Sequence, residues 1–370
     1  MNVVDLLLKL LSFRSLTPED DGSLQFIEEY LDGYEALYVN KEGVKNLFLY
    51  KTFGGKQFGE GTHLCFAGHV DVVPAGDNWD TNPFVPVIKD GNIYARGAQD
   101  MKSGVAAFVQ ACKDAKDFNG TLSILLTSDE EGEGKYGTVV MLEHLKEKGM
   151  LPDYCIVAEP TCESIFGDAI KIGRRGSING YLTIQGKQGH AAYPEKAINP
   201  VHQLAPILEK IAGINLDHGD DNFAPSQMVI TDIRGGMEVT NVTPGSLKLM
   251  FNVRNSTKTT QEEVRLHIDK CFKDLDYSLE LTQGSYPFVT IRDSRVVKVL
   301  TQSINDVTKQ ETKLSTAGGT SDARFMGAFG IDVVEFGVIN DTIHAPNERT
   351  SIKEVEQLCE VFKVLLLNFK

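Results

Sequence analysis

No stretch of the 370-residue chain approaches the ~18 consecutive apolar residues that a membrane-spanning helix requires. The chain holds no G-x-S-x-G, no P-loop and no H-E-x-x-H, so a serine nucleophile elbow, a nucleoside-phosphate cradle and a zincin helix are all without support. Its six cysteines, Cys65, Cys112, Cys155, Cys162, Cys271 and Cys359, include no C-x-x-C pair. Most fall in predicted core segments and read as buried free thiols of a cytoplasmic protein, not as disulfides or a zinc knuckle. Basic residues are outnumbered 37 to 51, leaving a net charge of −14. That balance lacks the basic footprint of a nucleic-acid or anionic-membrane binder, so neither partner is expected. Met1–Leu11 lacks the basic start and small-residue cleavage site of a secretory signal. With Leu7, Leu10 and Leu11 at helical spacing it reads as an amphipathic first helix. Repeats and low-complexity tracts are absent as well.

What is present is an ordinary globular composition, 42% hydrophobic and 24% charged, over a length that exceeds one core and favours two domains. Residues 1–176 alternate helix and strand patterns: helices near 3–12 and 23–31, strands at Asn46–Tyr50 and Thr62–Asp71, and a hairpin around Asp90-Gly91-Asn92. A helix at 101–117, a strand at 121–128, a helix at 137–148 and a strand at Tyr154–Pro160 follow. This order predicts an α/β layered domain. Residues 177–288 read strand, helix, strand, strand, helix, strand, the ferredoxin-like α+β order. From 289 to 370 the first pattern resumes, so the second domain is expected as an insertion into the first.

Chemistry concentrates where predicted strands end. The buried run Thr121–Ser128 terminates in Asp129-Glu130-Glu131-Gly132, and a core strand running into adjacent acids is the kind of local inconsistency that marks functional sites. Successive side chains of an extended chain point to opposite sides, so Glu130 and Glu131 are expected to do different jobs. His69 and Asp71 end another strand, Asp100 follows an extended segment, Glu159 ends a third strand, and His344 lies in the loop Asn340–Glu348. Ligand sites in α/β sheets form beyond the carboxyl ends of strands. Two imidazoles and several carboxylates gathered there need cations to compensate them. Mixed nitrogen and oxygen donors suit zinc, and their number exceeds one catalytic site, so two ions sharing a carboxylate are expected. Asp71, two residues from His69 on the same side of an extended chain, is placed to fix its tautomer.

Two motifs compete for other roles. Gly132-Glu133-Gly134-Lys135-Tyr136-Gly137 matches G-x-G-x-x-G, but a dinucleotide phosphate there would face Glu130, Glu131 and Glu133, so the match reads as a turn. His190 lies in the inserted segment, which argues against primary metal ligation.

The strings His69-Val70-Asp71-Val72-Val73-Pro74, Trp79 with Pro83-Phe84, Arg96-Gly97-Ala98-Gln99-Asp100-Met101-Lys102-Ser103-Gly104 and Asp129-Glu130-Glu131-Gly132 resemble the dinuclear-zinc aminoacylase and carboxypeptidase superfamily, peptidase family M20. Ala95 and Ser103 stand where that superfamily commonly has glycine. Five further stretches are similar to a branch of the superfamily that removes succinyl groups. They are Ala158–Thr161, Gly173–Ser177, Gly186–Pro194, Thr240–Gly245 and Gly318–Phe325.

The resemblance implies a zinc-peptidase-like α/β catalytic domain with an inserted dimerisation and lid domain. It implies two Zn²⁺ ions, with Co²⁺ as an alternative in one site. Asp100 would bridge them, His69 and Glu159 would complete one position, and Glu131 and His344 the other. Glu130 would be general base and acid, and Asp71 the orienting residue. Arg174, Ser177, His190, Tyr193, Asn241, Arg254, Gly318, Gly319, Thr320 and Asn340 would contact substrate, with His190 and Asn241 serving the partner of a homodimer. Closure of the inserted domain would complete the site.

The implied reaction releases succinate and LL-2,6-diaminoheptanedioate from an N-succinyl dicarboxylic amino acid in the cytoplasm, within lysine and meso-diaminopimelate biosynthesis. A sibling deacylase or dipeptidase, such as an acetylornithine deacetylase, would keep the same ligands. An inactive metal-binding homologue would have lost Glu130 or a ligand, and none is lost.

Overall fold

A computed structural model describes residues 1–369. The chain divides into two compact units: residues 1–173, 289–315 and from 321 onward form the first, residues 174–288 and 316–320 the second.

The first unit is built on an eight-stranded sheet. Its spatial order is Glu35–Tyr38, Asn46–Thr52, Gly120–Thr127, Thr62–His69, Tyr154–Val157, Asp332–Glu335, Ala169–Lys171 and Lys313–Ser315. The four central strands, from Gly120–Thr127 to Asp332–Glu335, pair in parallel. Every residue of Gly120–Thr127 is buried, which is why its sequence is a continuous apolar run instead of an alternation. The helices Val3–Leu11, Lys102–Asp114, Arg295–Thr308 and Ile352–Asn368 pack on one another, and Thr138–Glu147 packs with Ala323–Ala328. The first helix is closed at its start by a capping box between Asn2 and Asp5, and it buries Val3, Leu6, Leu7, Leu10 and Leu11 along one stripe. The buried Lys102 amine donates to Leu10 O in that helix's last turn at 3.1 Å and to Phe13 O beyond it at 2.9 Å.

The second unit has a four-stranded antiparallel sheet ordered Gln227–Gly235, Ser246–Arg254, Ser177–Gln185, Tyr277–Ser285. With the helices Pro200–Leu208 and Gln261–Phe272 between strands, this is the ferredoxin-like arrangement. Ile178, Leu182, Ile184, Leu247, Leu249, Phe251 and Val253 alternate along the strands and form its core with Leu204, Ile207, Val264, Ile268 and Phe272. The first of these helices is closed at its start by Asn199, whose side chain accepts the Val201 N–H, and ends at Leu208. The short strands Glu35–Tyr38, Ala169–Lys171 and Lys313–Ser315 were not anticipated from sequence, since three or four residues carry no readable periodicity.

All six cysteines are free, and all but Cys271 are buried. At the amino end of the central sheet, His63 lies buried between Phe48 and Phe58, with Nε2 2.8 Å from Ser123 Oγ. Burial pushes its imidazole down to about 4 from 6.5. Unfolding therefore takes up a proton between those values, and stability contributed by the neutral ring is present above pH ~6.5 and lost as pH falls toward ~4. We expect chelator-treated protein to lose on the order of 3 kcal/mol from this group across that window, at ~1.4 kcal/mol per pKa unit. Urea unfolding of wild type and His63→Gln at pH 7.5 and 5 measures it; equal slopes in the two proteins would refute the assignment.

Candidate metal centre

The parallel strands deliver their carboxyl ends to one edge of the first unit. His69 is the last residue of Thr62–His69, and Glu130 and Glu131 lie in the turn after Gly120–Thr127. Glu159 follows Tyr154–Val157 by two residues, and His344 sits in the loop after Asp332–Glu335. Asp100 comes from a different direction, on the turn that opens the helix Lys102–Asp114. A helix amino end favours a carboxylate beside it. That helix packs closely because residue 104 is glycine; a Cβ there would collide with the backbone oxygen of Ala158, the neighbour of Glu159. The peptide bond Asp100–Met101 is cis.

The carboxylate of Asp100 stands between the two imidazoles. Its Oδ1 is 3.1 Å from His69 Nε2 and its Oδ2 is 3.5 Å from His344 Nε2. His69 Nε2 also lies 3.8 Å from Glu159 Oε1 and 3.9 Å from Glu130 Oε2, and His344 Nε2 lies 3.0 Å from Glu131 Oε1. Among the described residues three groups bring ligand atoms within 4.8 Å of one another: His69, Asp100 and Glu159; Asp100, Glu131 and His344; and His69, Glu130 and Glu131. The first two share Asp100, whose two oxygens face different imidazoles, use His69, Glu159, Glu131 and His344 once each, and leave Glu130 over.

Charge in this cluster is unbalanced without a cation. Burial drives the carboxyls of Glu130 and Glu159 well above the usual range, and neighbouring Asp100 raises both further. Burial opposes protonation of His69, but the hydrogen bond to Asp100 and the charges of Glu130, Glu159 and Asp71 overcome it and raise the imidazole. The hydrogen bond to Glu131 raises His344. The donor set of two imidazoles and three carboxylates suits divalent ions such as zinc.

The local scaffold differs from expectation at Asp71 and at Glu130–Glu131. His69 Nδ1 faces the backbone oxygen of Asp71 at 2.9 Å, while the Asp71 carboxylate stands 3.7 Å away. The tautomer is thus set chiefly by a peptide carbonyl. The buried Asp71 carboxylate instead accepts the backbone N–H of Glu130 at 3.4 Å and of Glu131 at 3.1 Å, shaping the turn that carries them. Glu130 and Glu131 lie beyond the strand end, so this turn, and not strand alternation, sends their carboxylates to different imidazoles. The G-x-G-x-x-G match is the continuation of the same turn, where Asp129 accepts the Tyr136 N–H at 3.0 Å.

Three buried polar residues of the first unit were not singled out from sequence. The Glu348 carboxylate accepts backbone N–H groups of the Asp100 turn, and the Gln99 side chain bonds Asp341 and Thr342 of the His344 loop. Asp322 accepts the Thr138 hydroxyl at 2.7 Å, and its charge acts on Glu130. The buried setting of these groups depends on contacts between distant segments, which no local spacing announces. Asn340, also in the first unit, is exposed and donates to Pro160 O at 3.3 Å.

The remaining expected substrate contacts belong to the second unit. Arg174 is buried there and donates to Ala317 O at 3.1 Å, beside the exposed Gly318-Gly319-Thr320 turn. Ser177 Oγ accepts from Asn252 Nδ2 at 2.8 Å, and Arg254 is exposed. His190 pairs with Val242 in a short ribbon, its ring 5.7 Å from Tyr193, and Asn241 O accepts the Ala191 N–H at 2.9 Å. His190, Tyr193 and Asn241 thus form one exposed cluster.

Residues 65–368 match the family described as peptidase family M20/M25/M40. The chain is 68% identical over 369 residues to a succinyl-diaminopimelate desuccinylase of Sulfurovum sp. (strain NBC37-1), covering 100% of this chain and 99% of that one. A second, from Aliarcobacter butzleri (strain RM4018), is 64% identical over 370 residues with full coverage of both. Among solved structures, aminopeptidase PepT from Bacillus cereus superposes with a TM-score of 0.81 at 20% identity, over 100% of this chain and 98% of that chain. A metallo-carboxypeptidase of family M20 from Sulfolobus solfataricus gives 0.77 at 19% identity, over 100% and 99%.

Asp100→Ala is expected to weaken divalent-ion binding at both positions by more than ~10²-fold, the most that loss of even an outer-shell partner typically causes. His344→Ala is expected to weaken one position only. Ions retained per chain after dialysis distinguish the two, and equal stoichiometry in both variants would contradict the shared-carboxylate geometry.

Proposed function

The chain belongs to peptidase family M20/M25/M40, and from that premise we propose that it is a metal-dependent amide hydrolase acting on N-succinyl-LL-2,6-diaminoheptanedioate. The products are succinate and LL-2,6-diaminoheptanedioate, in lysine and meso-diaminopimelate biosynthesis. Full-length identity of 62–68% to proteins named for this reaction supports the substrate. The observation that carries the chemistry is the pair of ligand groups meeting at Asp100.

His69, Asp100 and Glu159 would hold one divalent ion, and Asp100, Glu131 and His344 the other. Bound there, such ions make water a stronger acid and polarise the substrate carbonyl. Glu130, left outside both groups, takes the proton of the attacking water on its carboxylate and delivers it to the departing nitrogen, so the amide C–N bond breaks as the amine is released. Asp71 holds the turn that aims Glu130. Arg174 and Arg254 would bind substrate carboxylates, since the guanidinium fork matches two oxygens at once. The Gly318-Gly319-Thr320 turn would offer backbone N–H groups to an anion, and Ser177, Tyr193 and Asn340 would complete recognition.

The resident ions are zinc in both positions, with cobalt as an alternative in one, and the protein works in the cytoplasm as a homodimer. The segment 177–288 is the dimerisation and lid domain, with His190 and Asn241 serving the partner's site. Exposed apolar side chains support an interface on this unit: Tyr193, Ile198, Val201, Met237 and Val239 are 53%, 49%, 44%, 57% and 50% exposed.

Glu130→Gln is expected to keep its metal content and lose at least ~10²-fold in turnover. Loss of metal instead would mean that Glu130 is a ligand. Assayed side by side, N-succinyl-LL-2,6-diaminoheptanedioate is expected to be preferred over N-acetylornithine; the opposite preference would overturn the substrate assignment. Chelation should abolish turnover, and added zinc should restore it.

A further inference from the structure

Glu348 is an acid with almost no access to water, 1% exposed, four residues beyond His344. Its carboxylate is fully used. Oε1 accepts the backbone N–H of Gln99 at 2.8 Å and of Asp100 at 3.0 Å. Oε2 accepts the backbone N–H of Gly97 at 2.9 Å and Nη1 of Arg96 at 2.8 Å. One side chain therefore collects three peptide N–H groups from the turn that presents Asp100. Its own main chain is fixed to the same segment, for Glu348 O accepts the Ala95 N–H at 3.1 Å.

Arg96 extends the connection. Its guanidinium, 5.1 Å from the Trp79 ring, donates to Ala345 O at 3.3 Å, His344 O at 3.4 Å and Ala75 O at 3.0 Å. Gln99 adds a second tie, donating from Nε2 to Asp341 Oδ1 at 2.6 Å and accepting the Thr342 N–H at 2.7 Å. Two residues of the loop so held, His344 and Asn347, have φ of 58° and 59°, in the left-handed region that is uncommon for non-glycine residues. Such conformations persist where surrounding contacts over-determine them.

We propose that Glu348 is a positioning residue for the shared metal ligand. It fixes the backbone of Asp100 and, through Arg96, the loop of His344, so that both arrive prearranged for two ions. The inference rests on the dinuclear reading of the site, and not on the identity of the substrate. A carboxylate is required because every group facing it is a donor. In Glu348→Gln the amide NH₂ must confront either two peptide N–H groups or a peptide N–H and a guanidinium. Glu348→Asp keeps the charge but is one methylene too short to span both sets.

The experiment is a chelator-competition titration of zinc into wild type, Glu348→Gln and Glu348→Asp, with melting curves of the metal-free proteins alongside. The expected result is ~10–100-fold weaker binding at both positions in Glu348→Gln, the scale of outer-shell effects, with a smaller loss in Glu348→Asp. Wild-type affinity in a variant whose metal-free melting point has fallen would overturn the proposal, since Glu348 would then serve the fold alone. If wild type binds a single ion, the dinuclear reading fails, independently of Glu348. Amide hydrogen exchange on wild type needs no variant. Gly97, Gln99 and Asp100 are expected to be protected before metal is added, and protection that appears only with zinc would refute prearrangement by Glu348.

Discussion

Repulsion among carboxylates is the constraint around which the first unit is arranged. Asp100, Glu130, Glu131 and Glu159 converge on two imidazoles at the carboxyl edge of the parallel central strands, where burial drives up the carboxyls of Glu130 and Glu159. A folded chain tolerates that concentration of like charge only with compensating protons or cations. The sheet supplies the convergence: parallel neighbours 62–69, 120–127, 154–157 and 332–335 all end on the same side. Close packing at Gly104 brings in Asp100 from the helix that follows it.

A second layer of acids does different work. Asp71 and Glu348 are fully buried, and each spends its carboxylate on backbone N–H groups. Asp71 shapes the turn of Glu130 and Glu131, and Glu348 the turn of Asp100. The cluster is thus held as two small backbone cradles, each organised by a carboxylate that stands outside the His69–Asp100–Glu159 and Asp100–Glu131–His344 groups. Burial raises both carboxyls, and the backbone N–H groups they accept pull against that rise.

The residues that converge were legible from sequence because each ends a predicted strand or lies in a loop after one, and an acid or imidazole there conflicts with the apolar run before it. The ferredoxin-like order of 177–288 was legible because its strands alternate cleanly, as Ile178, Leu182 and Ile184 do. The edge strands were not, being too short to show a period. Nor could spacing reveal that His69 leans on a peptide carbonyl instead of the Asp71 carboxylate, or that a turn separates Glu130 from Glu131. Glu348 was visible only as one more polar residue of a loop; its partners lie about 250 positions away, and contacts at that separation leave no local trace.

The parallel pairing of Tyr154–Val157 with Asp332–Glu335 closes the first unit's sheet across the whole intervening segment. On the ribosome, where domains fold as units and the amino-terminal parts emerge first, the strand 332–335 and the loop of His344 appear after the second unit's sequence has been made. The ferredoxin-like unit is contiguous apart from residues 316–320 and can mature while the half-built sheet still shows an open edge. Translation order therefore leaves the edge of Tyr154–Val157 open to intermolecular strand pairing until Asp332–Glu335 has been made.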